Sequence, residues 1–262
     1  MKLIINGLSK SFGKKEVLKD ASYTFNQGEV YALLGRNGAG KTTLFKLINE
    51  SLDRDSGEIL LEEDGKRKPI DFKDVFFMVS EPELPKFLTG REFISFFIEA
   101  NRENIKNLKN IDEYLEVVEL DKDDSNRLIQ DYSTGMKNKL QMLMFLILKP
   151  KVILMDEPLT SLDVVIQLQM KRIIREIHKD HIIIFSTHIL QLAKDICDKI
   201  VLLHEKTLHP VDSLIKDDPA FEDTIIDLLS GDALDKDIRA IEENLGEGHE
   251  QESWNFFYYT KN

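Results

Sequence analysis

The stretch that decides the fold of this chain is Gly35-Arg36-Asn37-Gly38-Ala39-Gly40-Lys41-Thr42-Thr43. Two of its glycines stand five positions apart and are followed by a lysine and a threonine, which is the pattern of a phosphate-binding loop. Such a loop turns backbone N–H groups inward around a polyphosphate, at the N-terminus of a helix whose dipole favours an anion. The stretch therefore predicts a binding site for a nucleoside triphosphate.

The residues on either side of this loop have the patterns that such a site requires. Val30–Leu34 is an apolar run typical of a buried strand, and residues 41–49 have helical spacing with the apolar side chains on one face. In this setting Lys41 would reach the β- and γ-phosphates, and the Thr42 hydroxyl would ligate Mg²⁺. The alternative is a glycine-rich turn ahead of an ordinary helix, and the flanking strand and helix argue against it.

Composition limits the class of protein. A hydrophobic content of 42% is enough for a packed core. The longest nearly unbroken apolar run, residues 140–148, is far shorter than the roughly 20 residues that a membrane span needs. The single cysteine, Cys197, excludes an internal disulfide and agrees with a reducing compartment. With no secretion signal predicted at the start, these features predict a soluble, cytoplasmic protein.

Negative charge is concentrated at the end of the chain. From Glu205 onward there are 15 acidic and 5 basic residues, in a chain whose net charge is −12. Binding of nucleic acid through charge needs a basic patch, so no nucleic acid partner is expected. Residues 206–262 are predicted to be an acidic C-terminal extension. Its aromatic cluster at residues 254–259 is expected to dock on this domain or on a partner.

The N-terminal part has the pattern of β-strands. Short apolar alternations occur through residues 2–33, with turn residues between them, and residues 57–61 and 74–79 are further strand candidates. Phe12 stands beside Gly13 in one of the turns. An exposed aromatic side chain there could stack on a base, whereas packing into the core is the alternative.

A helical segment is predicted at residues 88–135. Thr89 and Glu92 form the pattern of a capping box at the start of its first helix. Two further helical patterns follow, at residues 111–120 and 125–130. The next predicted helix, residues 136–149, is apolar almost all round and is therefore expected to be buried.

Strands and helices alternate after this segment. Strands are predicted at residues 151–155, 181–186 and 199–204, and helices at residues 163–178 and 188–197. Such alternation predicts a parallel sheet with helices on both faces.

Two adjacent carboxylates follow the first of these strands. Asp156 and Glu157 come directly after an apolar run, and ligands in this kind of fold bind beyond the carboxyl ends of the strands. Asp156 is therefore predicted to hold Mg²⁺, and Glu157 to orient or deprotonate an attacking water molecule. The alternative is that both are solvated residues of a turn.

A further stretch indicates the family. Tyr132-Ser133-Thr134-Gly135-Met136 resembles the signature loop of ABC-type ATPases, and the buried helix and Asp156-Glu157 follow it at the spacing usual in that family. The chain resembles an ABC transporter ATP-binding subunit over residues 1–205. The resemblance implies an α/β P-loop NTPase fold with a mostly parallel core sheet, an N-terminal antiparallel β subdomain and a helical signature subdomain.

The same resemblance implies roles for other residues. Phe12 becomes the aromatic side chain that stacks on adenine, Ser161 and Asp163 fall on the D-loop, and His188 contacts the γ-phosphate. Asp163 could also cap the helix that follows it. The signature loop, Ser133, Thr134, Gly135 and Met136, would act on ATP held by a second copy or a paralogous ATPase subunit.

The resemblance also implies a working cycle and partners. ATP binding would close the dimer, and hydrolysis through Glu157 would reopen it. Separate transmembrane permease subunits would convert this movement into transport, with the chain bound peripherally at the inner face of the membrane. The stretch Leu88-Thr89-Gly90-Arg91-Glu92 resembles bacterial antibiotic or peptide exporters.

The sequence departs from the family where a glutamine normally follows the strand at residues 74–79. Ser80 and Glu81 occupy that place and are the candidates for the missing contact with Mg²⁺ or water. The signature also lacks the first of its two usual glycines. A non-transport ABC ATPase acting on ribosomes, DNA or assembly is the first alternative function, and a nucleotide-gated binding module with little turnover is the second.

Overall fold

The computed structural model describes residues 1–105, 107–159, 162, 164–211 and 218–230. The predicted D-loop residues Ser161 and Asp163 lie outside these ranges, as does the predicted aromatic cluster of the C-terminal extension. No helix within the described ranges combines the length and the apolar character that a membrane-spanning helix needs.

Two sheets form the framework. The strands of the first sheet are β1 (Lys2–Phe12), β2 (Lys15–Asn26), β4 (Ser56–Glu63) and β5 (Lys66–Pro69). This sheet is antiparallel, with the strand order β2-β1-β4-β5. The strands of the second sheet are β3 (Val30–Leu34), β6 (Val75–Met78), β7 (Val152–Asp156), β8 (Ile182–Thr187), β9 (Lys199–His204) and β10 (Thr207–Val211). Their order is β10-β9-β3-β8-β7-β6, and all neighbouring strands are parallel except the β9–β10 pair.

The predicted α/β fold, with a mostly parallel core sheet and an antiparallel N-terminal sheet, is confirmed. The central strands β3, β7 and β8 are buried at every position, as expected where both faces of a parallel sheet are covered. Strand β8 shows how the two faces divide. Ile182 and Ile184 pack with the first helix and the antiparallel sheet, whereas Ile183 and Phe185 pack with the remaining helices.

The described residues also form eight α-helices, and all but the first follow the strands of the antiparallel sheet in sequence. They are α1 (Lys41–Ile48), α2 (Gly90–Ala100), α3 (Ile111–Val117), α4 (Lys122–Ser125), α5 (Thr134–Leu148), α6 (Val164–Ile177), α7 (Leu190–Ile196) and α8 (Phe221–Ser230). The predicted capping box of α2 is present, with both Thr89 and Glu92 side chains bonded to backbone N–H groups. Helix α5 is buried on several sides, as its all-round apolar character predicts.

Two predicted helices of this segment are shorter or differently placed. Helix α3 ends at Val117, because Glu119 adopts a positive φ of 51° that a helix cannot continue through. The pattern at residues 125–130 predicted one helix there. Instead, the short helix α4 is capped by Asp121, which accepts a hydrogen bond from Asp124 N, and only a single 3₁₀ turn forms at Ile129–Asp131.

The antiparallel sheet depends on one close approach between two strands. Gly57 of β4 has a φ of +89°, and a Cβ atom at this position would lie 2.4 Å from the carbonyl oxygen of Gly7. We expect Gly57→Ala to lower the free energy of unfolding by about 2–3 kcal/mol, since both the backbone conformation and the strand spacing are violated. Gly65→Ala is the matched control, because Gly65 also has a positive φ but faces open space. Urea unfolding of both variants checks this, and equal losses would contradict the role of the strand contact.

Candidate active site

The phosphate-binding loop connects β3 to α1 with the geometry that its glycines predict. Gly40 is the N-cap of α1, has a φ of +113°, and lies so close to Val17 that a Cβ would meet its methyl carbon at 2.7 Å. No side chain in the described part of the chain caps this helix end. The N–H groups of the first turn are therefore left for an anion, which the positive end of the helix dipole also favours.

Lys41 is held inside the loop that it is predicted to serve. Its side chain is buried, and Nζ donates to the carbonyl oxygens of Gly35 at 2.8 Å and Arg36 at 3.4 Å. Burial lowers the pKa of the Lys41 ammonium from its ordinary value, while the carboxylates of Glu157 and Asp156 act in the opposite direction. The ammonium thus sits in a poorly hydrated place where an incoming phosphate would be a strong partner.

The two predicted Mg²⁺ ligands are in contact. Thr42 Oγ1 donates to Asp156 Oδ2 at 2.6 Å, although the two residues are far apart in sequence. Asp156 ends β7 and is buried. Among the described residues no cluster of three or more His, Cys, Asp and Glu side chains could hold a metal. A hydroxyl and one carboxylate fit Mg²⁺, which usually takes few protein ligands and completes its shell with water and substrate phosphates.

Glu157 and His188 form the second contact of the site. Glu157 follows β7 with a positive φ of 49°, so the chain turns away from the sheet just after Asp156. His188 Nδ1 lies 3.0 Å from Glu157 Oε2. The carboxylate is mostly shielded, while about half of the His188 side chain is exposed. A carboxylate held by an imidazole at the mouth of a phosphate site can accept a proton from water.

A cavity of about 280 Å³ lies beside the phosphate loop and His188. It is lined by the end of β3, the phosphate loop, the end of β8 and helices α7 and α8, through Leu34, Gly35, Arg36, Asn37, Thr187, His188, Leu190 and Leu229. The structure therefore brings the loop and His188 to one opening. Helix α8 of the predicted C-terminal extension also reaches this opening.

Phe12 is placed at the end of β1 and is 49% exposed. The Lys10 ammonium lies over its ring, 5.5 Å from the ring centroid. The ring is therefore not part of the core, and its stacking on adenine stays a prediction.

The predicted signature residues stand at the start of α5. Ser133 is the N-cap and accepts a hydrogen bond from Met136 N at 3.2 Å. Ser133 and Thr134 are exposed, whereas Gly135 is buried and has no room for a Cβ beside Ile166. Within the ranges that the structure describes, no hydrogen bond joins these residues to the phosphate loop of the same chain.

Ser80 and Glu81, the candidates for the missing glutamine contact, are both exposed beyond β6. The residue before them is held by a side chain that was not among the predicted site residues. Gln141 of α5 accepts a hydrogen bond from Val79 N at 3.2 Å and donates one to Val79 O at 3.0 Å. One indication of this role was present in the sequence, because Asn138 and Gln141 are polar residues within an otherwise largely apolar helix. In the structure the side chains of these two residues are hydrogen-bonded to each other.

Ser186 was also missed as a residue of the site. Its hydroxyl donates to Asp156 Oδ1 at 2.6 Å and accepts from Glu157 N at 3.0 Å. The signal was a hydroxyl at the polar end of an apolar strand, two residues before His188.

Comparison with known protein families agrees with this geometry. The model of a family described as ABC transporter matches residues 18–160. The ABC transporter ATP-binding protein YxlF of Bacillus subtilis is 35% identical over 205 residues, which cover 77% of this chain and 67% of that protein. The sulfate/thiosulfate import ATP-binding protein CysA of Synechocystis is 30% identical over 215 residues, which cover 80% of this chain and 60% of that protein.

Solved structures agree as well. An ABC transporter ATP-binding protein from Pyrococcus furiosus is similar with a TM-score of 0.61 and 28% identity, over 72% of this chain and 92% of that one. The fold is also shared with cbiO1 from Clostridium perfringens, described as part of the cbiONQ transporter complex. Its TM-score is 0.68 at 24% identity, over 92% of this chain and 98% of that one. The chain therefore belongs to the ABC transporter ATP-binding family, whose members bind and hydrolyse ATP.

Proposed function

We propose that this chain powers a membrane transporter by closing on ATP as one of two paired subunits and reopening after hydrolysis. The observation that supports this best is the continuous set of contacts from Thr42 through Asp156 and Ser186 to Glu157 and His188. It joins the phosphate-binding helix, two neighbouring core strands and the loop after β8. The two predicted Mg²⁺ ligands and the two residues predicted to act on water and the γ-phosphate therefore belong to one set of hydrogen-bonded side chains.

The chemistry follows from these positions. The loop N–H groups and Lys41 bind the phosphates of ATP. Thr42 and Asp156 would hold Mg²⁺, which would offset negative charge on the phosphates. Glu157 accepts a proton from the attacking water. His188 keeps that carboxylate at the mouth of the site and donates toward the γ-phosphate. Ser80 and Glu81 remain the candidates for the contact that a glutamine makes in relatives.

The second half of the site comes from a second copy or a paralogous subunit. Ser133 and the backbone N–H of Gly135 would contact ATP on the partner's loop, at the positive end of the α5 dipole. The exposure of Ser133 and Thr134 supports this arrangement. Ser161 and Asp163, expected on the D-loop, would lie at the same junction.

The transport partner is a separate permease in the membrane, with this chain on the cytoplasmic side. We assign residues 1–205 to the ATPase domain, residues 88–135 to its helical subdomain and residues 206–262 to an extension. Export is supported by the Leu88–Glu92 stretch alone. The import name of the Synechocystis relative argues for the opposite direction.

The experiment that tests this function starts from the genes next to this chain's gene, among which we expect one that encodes a polytopic membrane protein. That protein and this chain are co-expressed, purified together and reconstituted in proteoliposomes. We expect co-purification and ATP hydrolysis that the membrane protein stimulates. ATP hydrolysis without any association with a membrane protein would favour a non-transport ABC ATPase. Binding of ATP without turnover would favour a nucleotide-gated module.

A further inference from the structure

Ser186 is a buried hydroxyl at the centre of the site. It stands directly opposite Asp156 in the parallel pairing of β7 and β8, and no part of it is exposed. An ionised carboxylate can only accept and a backbone N–H can only donate, so the direction of both Ser186 hydrogen bonds is fixed. The single hydroxyl proton goes to Asp156 Oδ1, and the hydroxyl oxygen receives the N–H of Glu157.

We propose that Ser186 is a positioning residue that orients the Mg²⁺-binding carboxylate of Asp156 and the backbone of Glu157 together. The proposal rests on the function proposed above, because it requires Asp156 to ligate Mg²⁺ and Glu157 to activate water. In this role Ser186 would act through Asp156 and Glu157 and would touch neither the metal nor the nucleotide.

The first step of the argument concerns the carboxylate. The terminal torsion of an aspartate side chain has a broad energy minimum, so its two oxygens are not fixed by the backbone. Here Oδ1 is held by Ser186 at 2.6 Å, and Oδ2 therefore faces Thr42, also at 2.6 Å. The oxygen that faces Thr42 is the one that could share a cation with the threonine hydroxyl. Hydrogen bonds of this kind to a ligating carboxylate are known to tune metal affinity.

The second step concerns the backbone of Glu157. Pairing of β7 with β8 ends at Asp156 and Ser186, and the next residue adopts a φ of 49°. A residue with a Cβ seldom takes this left-handed conformation unless its surroundings favour it. The bond from Glu157 N to Ser186 Oγ supplies such a contact at 3.0 Å. It directs the side chain of Glu157 away from the sheet and toward His188.

The test uses the full chain with a non-hydrolysable ATP analogue and Mn²⁺ as a paramagnetic substitute for Mg²⁺. Ser186→Ala and Ser186→Cys are expected to weaken Mn²⁺ binding, measured by electron paramagnetic resonance, by about 10–100-fold. Cysteine keeps a group of similar size but is only a weak donor. Ser186→Thr keeps the hydroxyl and should retain the wild-type affinity. Binding of a fluorescent ATP analogue without metal should change less than about twofold, because Ser186 is not expected to touch the nucleotide.

Ser125→Ala is the matched control, since Ser125 is also fully buried and donates a hydrogen bond, to Lys122 O, away from this site. Wild-type Mn²⁺ affinity in Ser186→Ala and Ser186→Cys would overturn the proposal. Equal losses of metal-free and metal-dependent nucleotide binding, with a lower Tm, would overturn it in favour of a purely structural role. Absence of any Mn²⁺–nucleotide complex in the wild-type protein would instead contradict the proposed function itself.

Discussion

Replacing Glu157 by glutamine is expected to slow ATP hydrolysis by about 10²–10⁴-fold, the usual contribution of a general base. Glutamine has nearly the same size and can keep a hydrogen bond to His188, but it cannot accept the proton of the attacking water. ATP binding should persist, because the phosphate loop and Lys41 are unchanged. The measurements are steady-state phosphate release and size-exclusion chromatography with ATP, in which this variant should run as a dimer.

The matched control for this prediction is Glu205→Gln. Glu205 also follows a core strand directly, has a positive φ of 46° and is exposed. The same chemical change is thus made in a similar backbone setting, at the end of β9. The control should hydrolyse ATP at the wild-type rate. Near-normal turnover in Glu157→Gln would remove this residue from the mechanism, and a comparable loss in both variants would indicate a general effect of the substitution.

The phosphate loop and the acidic pair could be predicted because their signals are local. The glycines, Lys41 and Thr42 lie within one loop and one helix turn, and Asp156 directly follows an apolar strand. Parallel strands place their carboxyl ends at one edge of a sheet, so the contact between Thr42 and Asp156 follows from topology. Neither inference needs the exact pairing of the strands.

The residues that were missed depend on that pairing or on packing between distant elements. Ser186 meets Asp156 because β7 and β8 pair in one particular register. Gln141 bonds both backbone groups of Val79, which lies 62 positions earlier in the chain. The residues adjacent to Ser186 and Gln141 in the sequence do not indicate which residue either side chain contacts. The sequence alone therefore does not predict their roles.

The strands that were missed are edge strands with weak patterns. Strand β5 is exposed at all four positions and contains Lys66, Arg67, Lys68 and Pro69. Charged residues and proline are typical of an edge strand, where they prevent pairing with another strand. Because they do not alternate with apolar residues, they do not give the sequence pattern from which a strand is predicted. Strand β10 follows a turn in which Glu205 and Lys206 both have positive φ. Asparagine and glycine are the usual residues of such a turn, so the hairpin had no signal in the sequence.

The connection between Gln141 and Val79 bears on the departure from the family pattern. Ser80 and Glu81 replace the expected glutamine, yet the backbone just before them is held by two hydrogen bonds from α5. The predicted signature residue Ser133 is the N-cap of helix α5. Movement of α5 would therefore pull on the Ser80 loop directly, without help from the side chains that replace the glutamine.

Lys41→Ala is expected to weaken ATP binding by about 10–100-fold, the range for a lost hydrogen bond to a charged group. Hydrolysis should fall by a further factor of about 10² or more, since charge that develops on the phosphates loses a fixed donor. The structure explains why arginine should not replace Lys41. Lys41 is 7% exposed and its ammonium fits between the carbonyl groups of Gly35 and Arg36, an enclosed place that a wider guanidinium does not match.

The matched control is Lys46→Ala, which removes the same side chain from the last turn of the same helix. Lys46 is exposed and lies away from the loop, so ATP affinity and turnover should stay within about twofold of wild type. Fluorescent-nucleotide titration measures affinity, and thermal melting of both variants shows whether the fold is retained. If Lys41→Ala binds ATP as tightly as Lys46→Ala while both melt like the wild type, the buried ammonium does not contact the phosphates. The loop N–H groups would then account for binding on their own, and Lys41 would serve only to hold the loop together through the two carbonyl groups that it contacts.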